Sequence, residues 1–118
     1  MFYEEEFKSE AFKDQTVKIH TEVSLSLSKY LKNQNACRHV KTGDQCFLEK
    51  EAAKEALKVL DDLDIFLEKG YLEAYLEQHA ILWRLLEELE LSVLIGESIA
   101  KQFGKNCFFI ALSLEHSS

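Results

Sequence analysis

The side chains best suited to bind a metal ion lie in one polar stretch, residues 33–46. Cys37 and His39 are separated by one residue, and Cys46 follows after six more. Structural zinc takes four tetrahedral ligands, commonly supplied as close pairs such as Cys-x-x-Cys. The stretch holds no such pair. A fourth ligand would have to come from a distant residue: Cys107, His20 or His79. We interpret the thiols as free and His39 as a surface histidine, so the sequence predicts neither a metal nor a cofactor.

A basic interval overlaps this stretch and begins before it. No acidic residue occurs between Glu22 and Asp44, whereas this interval holds four basic residues, namely Lys29, Lys32, Arg38 and Lys41. On an otherwise acidic protein, these residues predict a polarised end that could contact an anionic protein surface or RNA. The net charge of −7 opposes a general affinity for phosphate backbones, so nucleic-acid binding is the alternative rather than the main hypothesis.

His79 is a candidate general base, because the helical pattern places it among apolar residues close to Tyr75 and Trp83. A general base needs an orienting partner, and the spacing to Glu73 and Glu77 does not match the Glu-x-x-His of di-iron bundles. We therefore interpret His79 as a core histidine that bonds to a tyrosine hydroxyl or a backbone carbonyl.

Two acidic clusters carry paired carboxylates, which could bind Mg²⁺ or act as acid and base. They are "DDLD", with Asp61, Asp62 and Asp64, and "EELE", with Glu87, Glu88 and Glu90. In both clusters, leucines at helical spacing take the core face and leave the carboxylates on the solvated face. An enzyme that uses these groups or His79 is therefore an alternative, and a non-enzymatic protein is the prediction.

Helices must position all of these groups, because the chain has no proline and only four glycines. Strand-rich folds need many more turn residues than that. Polar or glycine breaks leave three segments, Tyr3–Lys32, Cys46–Lys69 and Tyr71–Phe103. We predict one all-α domain over residues 1–118, an antiparallel bundle of three long helices plus a short C-terminal element. This arrangement resembles a four-helix bundle, and dimerisation could complete it.

The stretch "VKIHTEVSLSLS", residues 17–28, alternates like a β-strand. Helical spacing competes with this alternation, since one stripe holds Phe12, Thr16, Ile19, Val23, Leu27 and Tyr30. No turn residue bounds a strand here, and the flanking residues favour helix. We predict a helix in which Ile19, Val23 and Leu27 are buried.

The second and third segments show helical spacing throughout. The second ends at Gly70, a helix-terminating residue, and is expected to be the shortest of the three. The third keeps its apolar rhythm from Leu72 to Phe103 and would be about 50 Å long if continuous. The tail from Cys107 to Glu115 fits either a helix or a strand.

The segment "LELSVLIGESIA" is the strongest functional hint, because its apolar residues point all round a helix. Three helices would leave part of it exposed, as at a partner site. The predicted interaction residues are Leu91, Leu94, Ile95, Ile99 and Phe103, and Gly96 permits close approach of another helix.

These observations favour a small acidic protein that acts through protein–protein contact, as an adaptor, chaperone, inhibitor or antitoxin-like partner. Self-association as a homodimer is expected. The N-terminal "MFYEEEFKSE" lacks the apolar region of a signal peptide, and no window approaches the roughly 20 apolar residues of a membrane span. With three cysteines, an odd number, we expect a cytoplasmic protein.

Overall fold

The computed structural model describes residues 4–32 and 43–116, with side chains described for 5–32 and 48–113. All regular secondary structure in these ranges is helical, which confirms the predicted all-α bundle. The helices are α1 (Glu4–Phe7), α2 (Glu10–Lys32), α3 (Gly43–Lys69), α4 (Leu72–Glu88), α5 (Ser92–Phe103) and α6 (Phe108–His116). No helix within the described ranges is both long enough and apolar enough to cross a membrane.

The alternating stretch at residues 17–28 is helical, as the spacing predicted. Ile19, Val23 and Leu27 are at most 1% exposed, whereas Leu25, which the strand pattern would place beside them, is 51% exposed. Residues three and four apart share a helix face, so the buried set follows the helical period and not the alternation. Packing has overridden the weak helix propensity of valine, threonine and serine in this stretch.

The first two long helices are antiparallel, as contacts between them show. His20, near the middle of α2, contacts Asp64 near the end of α3, while Tyr30, near the end of α2, donates a 3.1 Å hydrogen bond to Glu49 near the start of α3. The second helix was expected to be the shortest of the three segments. This expectation is wrong, because α3 has 27 residues and α2 has 23.

Gly70 joins α3 to α4 in a tight turn. The Gly70 N–H donates to the carbonyl of Leu67 at 3.3 Å, and the Tyr71 N–H donates to that of Phe66 at 2.9 Å. This is the bonding pattern of a Schellman motif, whose left-handed residue favours glycine, and Gly70 has a φ of 76°. The Tyr71 and Phe66 rings pack together with centroids 6.3 Å apart. So short a link sends α4 back along α3, the helix against which it packs.

The predicted third helix is not continuous, because the same motif recurs inside it. The Glu90 N–H donates to the carbonyl of Glu87 at 3.0 Å, and the Leu91 N–H donates to that of Leu86 at 2.9 Å. Glu90 takes the left-handed position with a φ of 60°. A glutamate is uncommon there, so the sequence carries no glycine to signal the break. The break separates α4 from α5, so the direction of α5 is independent of the direction of α4.

The tail forms a helix, α6, which settles the choice that its sequence left open. Phe109 and Leu112 are at most 4% exposed, and α6 packs against α4 and α5. Phe108 joins an aromatic cluster with Phe7 and Tyr75, in which ring centroids lie 5.2–6.3 Å apart. The N-terminal α1 and the C-terminal α6 thus meet over the start of α4.

Alanine substitutions at Gly70 and at Gly96 should have opposite effects on the free energy of unfolding. We expect Gly70→Ala to lower the free energy of unfolding by about 1–2 kcal/mol, because an L-residue is strained at positive φ. Its Cβ would also lie 2.9 Å from Cε of Lys8. In α5, a Cβ at Gly96 would meet Cη2 of Trp83 at an ordinary 3.8 Å. Gly96→Ala should therefore raise the free energy of unfolding by about 0.4–1 kcal/mol.

The measurement is urea unfolding followed by far-UV circular dichroism, with the wild type as reference. Shifts of the midpoint in the same direction for both variants would contradict the assignment of Gly70 as strained and Gly96 as regular helix.

Candidate functional site

Three polar side chains from three helices form one hydrogen-bonded chain inside the bundle. His20 of α2 lies between the other two, with its Nδ1 2.6 Å from Oδ1 of Asp64 in α3. Its Nε2 lies 2.8 Å from the hydroxyl of Tyr75 in α4. His20 is 3% exposed and Tyr75 is fully buried, whereas Asp64 is half-exposed. The chain therefore runs from the surface of the bundle to its interior.

Local sequence explains these positions. His20 lies four residues after Thr16 and three before Val23, so it falls on the buried face of α2. Asp64 follows the buried Leu63 and lies at the border between the core and the solvated face of α3. Our sequence interpretation named His20 only as a distant zinc ligand, although its spacing from Thr16 and Val23 was the signal of its burial.

The donors and acceptors in this chain can be assigned from its chemistry. An ionised Asp64 only accepts hydrogen bonds, so Nδ1–H of His20 is the donor. Nε2 of a neutral imidazole then accepts the hydroxyl proton of Tyr75. Burial raises the pKa of Tyr75 well above its usual value near 10, and the charge of Asp64 raises this pKa further. Tyr75 is therefore held as a neutral donor.

An aspartate that orients a histidine is also the arrangement of a general base. Here, the free lone pair that such a base needs is taken by the hydroxyl of Tyr75. The rings of His20 and Tyr75 stack with centroids 5.8 Å apart, and Phe109 meets the imidazole edge-on at 6.0 Å. A substrate would reach Nε2 only if Tyr75 moved. In this arrangement the three hydrogen-bonded side chains link α2, α3 and α4. Leaving one of these buried groups without its hydrogen bond costs about 1–3 kcal/mol.

The structure confirms that His79 is a core residue, as the helical pattern predicted, since it is fully buried. Its ring stacks on Trp83 at 6.2 Å with an interplanar angle of 4°, and it meets Phe109 at 4.4 Å. The nearest tyrosine in sequence, Tyr75, gives its hydroxyl to His20 and not to His79. Aromatic packing therefore defines the surroundings of His79.

Most of the stretch that holds the candidate metal ligands lies outside the described residues. Cys37 and His39 lie outside the described residues, as does the side chain of Cys46. Of the distant candidates, His20 and His79 pack among aromatic rings in the core, and Cys107 is a free, partly exposed thiol. Among the side chains described, those of residues 5–32 and 48–113, no three metal-ligating groups come together.

The charged groups lie mainly on the surface. At the end of α2, Lys29 and Lys32 are exposed, while Arg38 and Lys41 fall outside the described ranges. The carboxylates of both acidic clusters lie on exposed residues, as their spacing predicted: Asp61, Asp62, Asp64, Glu87, Glu88 and Glu90.

The predicted interaction residues divide into two groups. The first group, Leu91, Ile95 and Ile99, is at most 4% exposed and belongs to the core of this chain. Phe103 is partly buried, and Leu94 is 57% exposed. The cause is the break at Glu90, because it lets α5 turn one apolar face towards α2, α4 and α6. As a result, Val93, which is not among the predicted interaction residues, is 71% exposed, the highest value for a large apolar residue with a described side chain.

A groove lies beside Val93, where α4, α5 and α6 meet. Its volume is about 510 Å³, and its walls include Trp83, Gly96, Ala100 and Ile110. Because Gly96 has no side chain, the edge of the Trp83 indole is left open to the groove. The groove, which Val93 lines, and the next residue of α5, the exposed Leu94, are together called the α5 face below.

No protein-family model matches this chain, and no curated protein or solved structure shows significant similarity to it. Two features therefore carry the functional argument, namely the buried polar chain and the α5 face.

The raised pKa of Tyr75 predicts a specific loss of stability in alkali. The unfolded chain releases this proton near pH 10, whereas the folded chain retains it to higher pH. Above pH 10 the unfolded state thus binds fewer protons than the folded state, so the free energy of unfolding falls as pH rises. The expected slope is about 1.4 kcal/mol per pH unit until the folded pKa is reached. Below pH 10 this contribution is fully present.

Urea unfolding at a series of alkaline pH values measures this slope. Tyr75→Phe should remove it, whereas Tyr71→Phe, which changes an exposed tyrosine, should keep the wild-type slope. An unchanged slope in Tyr75→Phe would show that the Tyr75 proton is not held by the fold.

Proposed function

We propose that this protein is a non-enzymatic interaction module that binds another protein chain through the α5 face. One observation carries the proposal: Val93 is 71% exposed and lines an apolar groove, and the next residue of α5, Leu94, is 57% exposed. Contiguous exposed apolar surface of this kind is typical of partner sites, whereas scattered single residues are not.

Burial of these side chains supplies the driving force. Moving one large apolar side chain from water into an interface contributes about 1.5–3 kcal/mol before ordering costs. Those costs are low here, because α5 is already held in place. Ile95 and Ile99 anchor it in the core, and Gln102 donates a 3.3 Å hydrogen bond to Glu22 of α2. A rigid helix that presents exposed apolar residues is well suited to binding by shape.

The polar chain supports this role indirectly. It ties α2, α3 and α4 together, and its imidazole is engaged on both nitrogens by groups of this chain. The geometry thus favours a scaffold that holds α4 and α5 over an active site at His20. The odd cysteine count and the free thiol of Cys107 support a reducing compartment, so we place this role in the cytoplasm.

Site-specific photo-crosslinking in living cells tests the proposal. A benzophenone amino acid replaces Val93 in one variant and Ile65 in a matched control, since Ile65 is an apolar α3 residue with 46% exposure. Irradiation should give a discrete adduct from position 93 and none from position 65. Circular dichroism of the purified variants verifies that both are folded.

Absence of an adduct from position 93, or equal adducts from both positions, would contradict an interaction through the α5 face.

A further inference from the structure

We propose that the occupant of the α5 face is a second copy of this chain, docked antiparallel to the first about a two-fold axis that crosses α5. This inference rests on the proposed function, since it names the partner of the same face. It is carried by how charge is distributed along the groove.

The two ends of the groove carry opposite charges. Glu87 lies in the last turn of α4, at the end where α5 begins, and Lys105 follows Gly104 just beyond the end of α5. The 12 residues of α5 separate these ends by about 18 Å. Both side chains are exposed, and neither forms an ion pair or a side-chain hydrogen bond within the described part of the chain.

A two-fold axis across α5 reverses the helix in the second copy. Each Lys105 then meets the Glu87 of the other copy, so that the interface contains this pair twice. A parallel alignment would instead place Glu87 against Glu87 and Lys105 against Lys105. The charges therefore select the antiparallel alignment. An exposed pair changes a dissociation constant by at most about fivefold, so affinity has to come from the apolar residues between the two ends.

The residues between the ends fit that requirement. Val93, Gly96 and Ala100 are spaced three and four residues apart, so they share one face of α5. The antiparallel alignment centred near Gly96 brings Val93 of each copy towards Ala100 of the other. The missing side chain at Gly96 lets the second helix approach over the Trp83 indole, where a Cβ would already touch Cη2 at 3.8 Å.

Glu97 provides a second test of the antiparallel alignment. It is an exposed residue of the groove and lies next to Gly96, near the proposed axis. The two copies of Glu97 would then lie close together and repel each other. Removal of this charge should tighten the dimer, whereas in an alignment that separates these residues it should not.

Sedimentation velocity over a concentration series tests the alignment on the full chain. The wild type should show a monomer–dimer equilibrium. Glu87→Lys and Lys105→Glu should each raise the dissociation constant at least fivefold, because each replaces two attractive pairs with two repulsive ones. The double variant should return the dissociation constant to within about twofold of the wild type. Glu97→Gln should lower it.

Glu73→Lys is the matched control. It makes the same charge change in the first turn of α4, away from the groove, and should leave the dissociation constant near the wild-type value.

The outcomes separate this inference from the proposed function. A wild-type dimer that Val93→Asp dissociates, but that the charge variants leave unchanged, would overturn the antiparallel pairing alone. A monomeric wild type, with an adduct from position 93 that contains a different protein, would overturn the second copy as occupant and leave the proposed function standing. No adduct from position 93 would overturn both.

Discussion

The fold depends on one buried constraint, the hydrogen-bonded chain through Asp64, His20 and Tyr75. A histidine and a tyrosine are costly to bury unless each polar atom has a partner, so these groups are satisfied only when α2, α3 and α4 are in one register. Apolar side chains tolerate small slips between helices, whereas the hydrogen bonds among Asp64, His20 and Tyr75 do not. They therefore give the bundle specificity that leucine packing alone would not supply.

The position of α5 follows from that register. With α4 held at Tyr75, the turn at Glu90 starts α5 at a defined place and direction. The face of α5 that carries Ile95 and Ile99 completes the core, and the face that carries Val93 is left at the surface beside the Trp83 groove. The buried hydrogen bonds at Tyr75 thus determine which apolar surface of α5 is exposed.

The sequence predicted the elements whose signals are local. Helical spacing identified α2 despite its strand-like alternation, and Gly70 marked the turn after α3. The break at Glu90 was missed because glutamate gives no sign of a left-handed residue. The hydrogen bonds of His20 to Asp64 and Tyr75 were missed because they span sequence separations of 44 and 55 residues, which no short pattern encodes. The burial of Leu91, Ile95 and Ile99 was also missed, since the break decides which face of α5 is exposed.

Hydrogen–deuterium exchange of the wild type at low and high protein concentration tests most directly whether the α5 face is the contact surface of a fixed scaffold. We expect amides of α5, Ser92–Phe103, to become better protected at high concentration. Amides around His20 and Asp64 should be equally protected at both concentrations. Exchange in α5 that is independent of concentration, or a change that is centred on α2 and α3 instead, would show that the α5 face is not the contact surface.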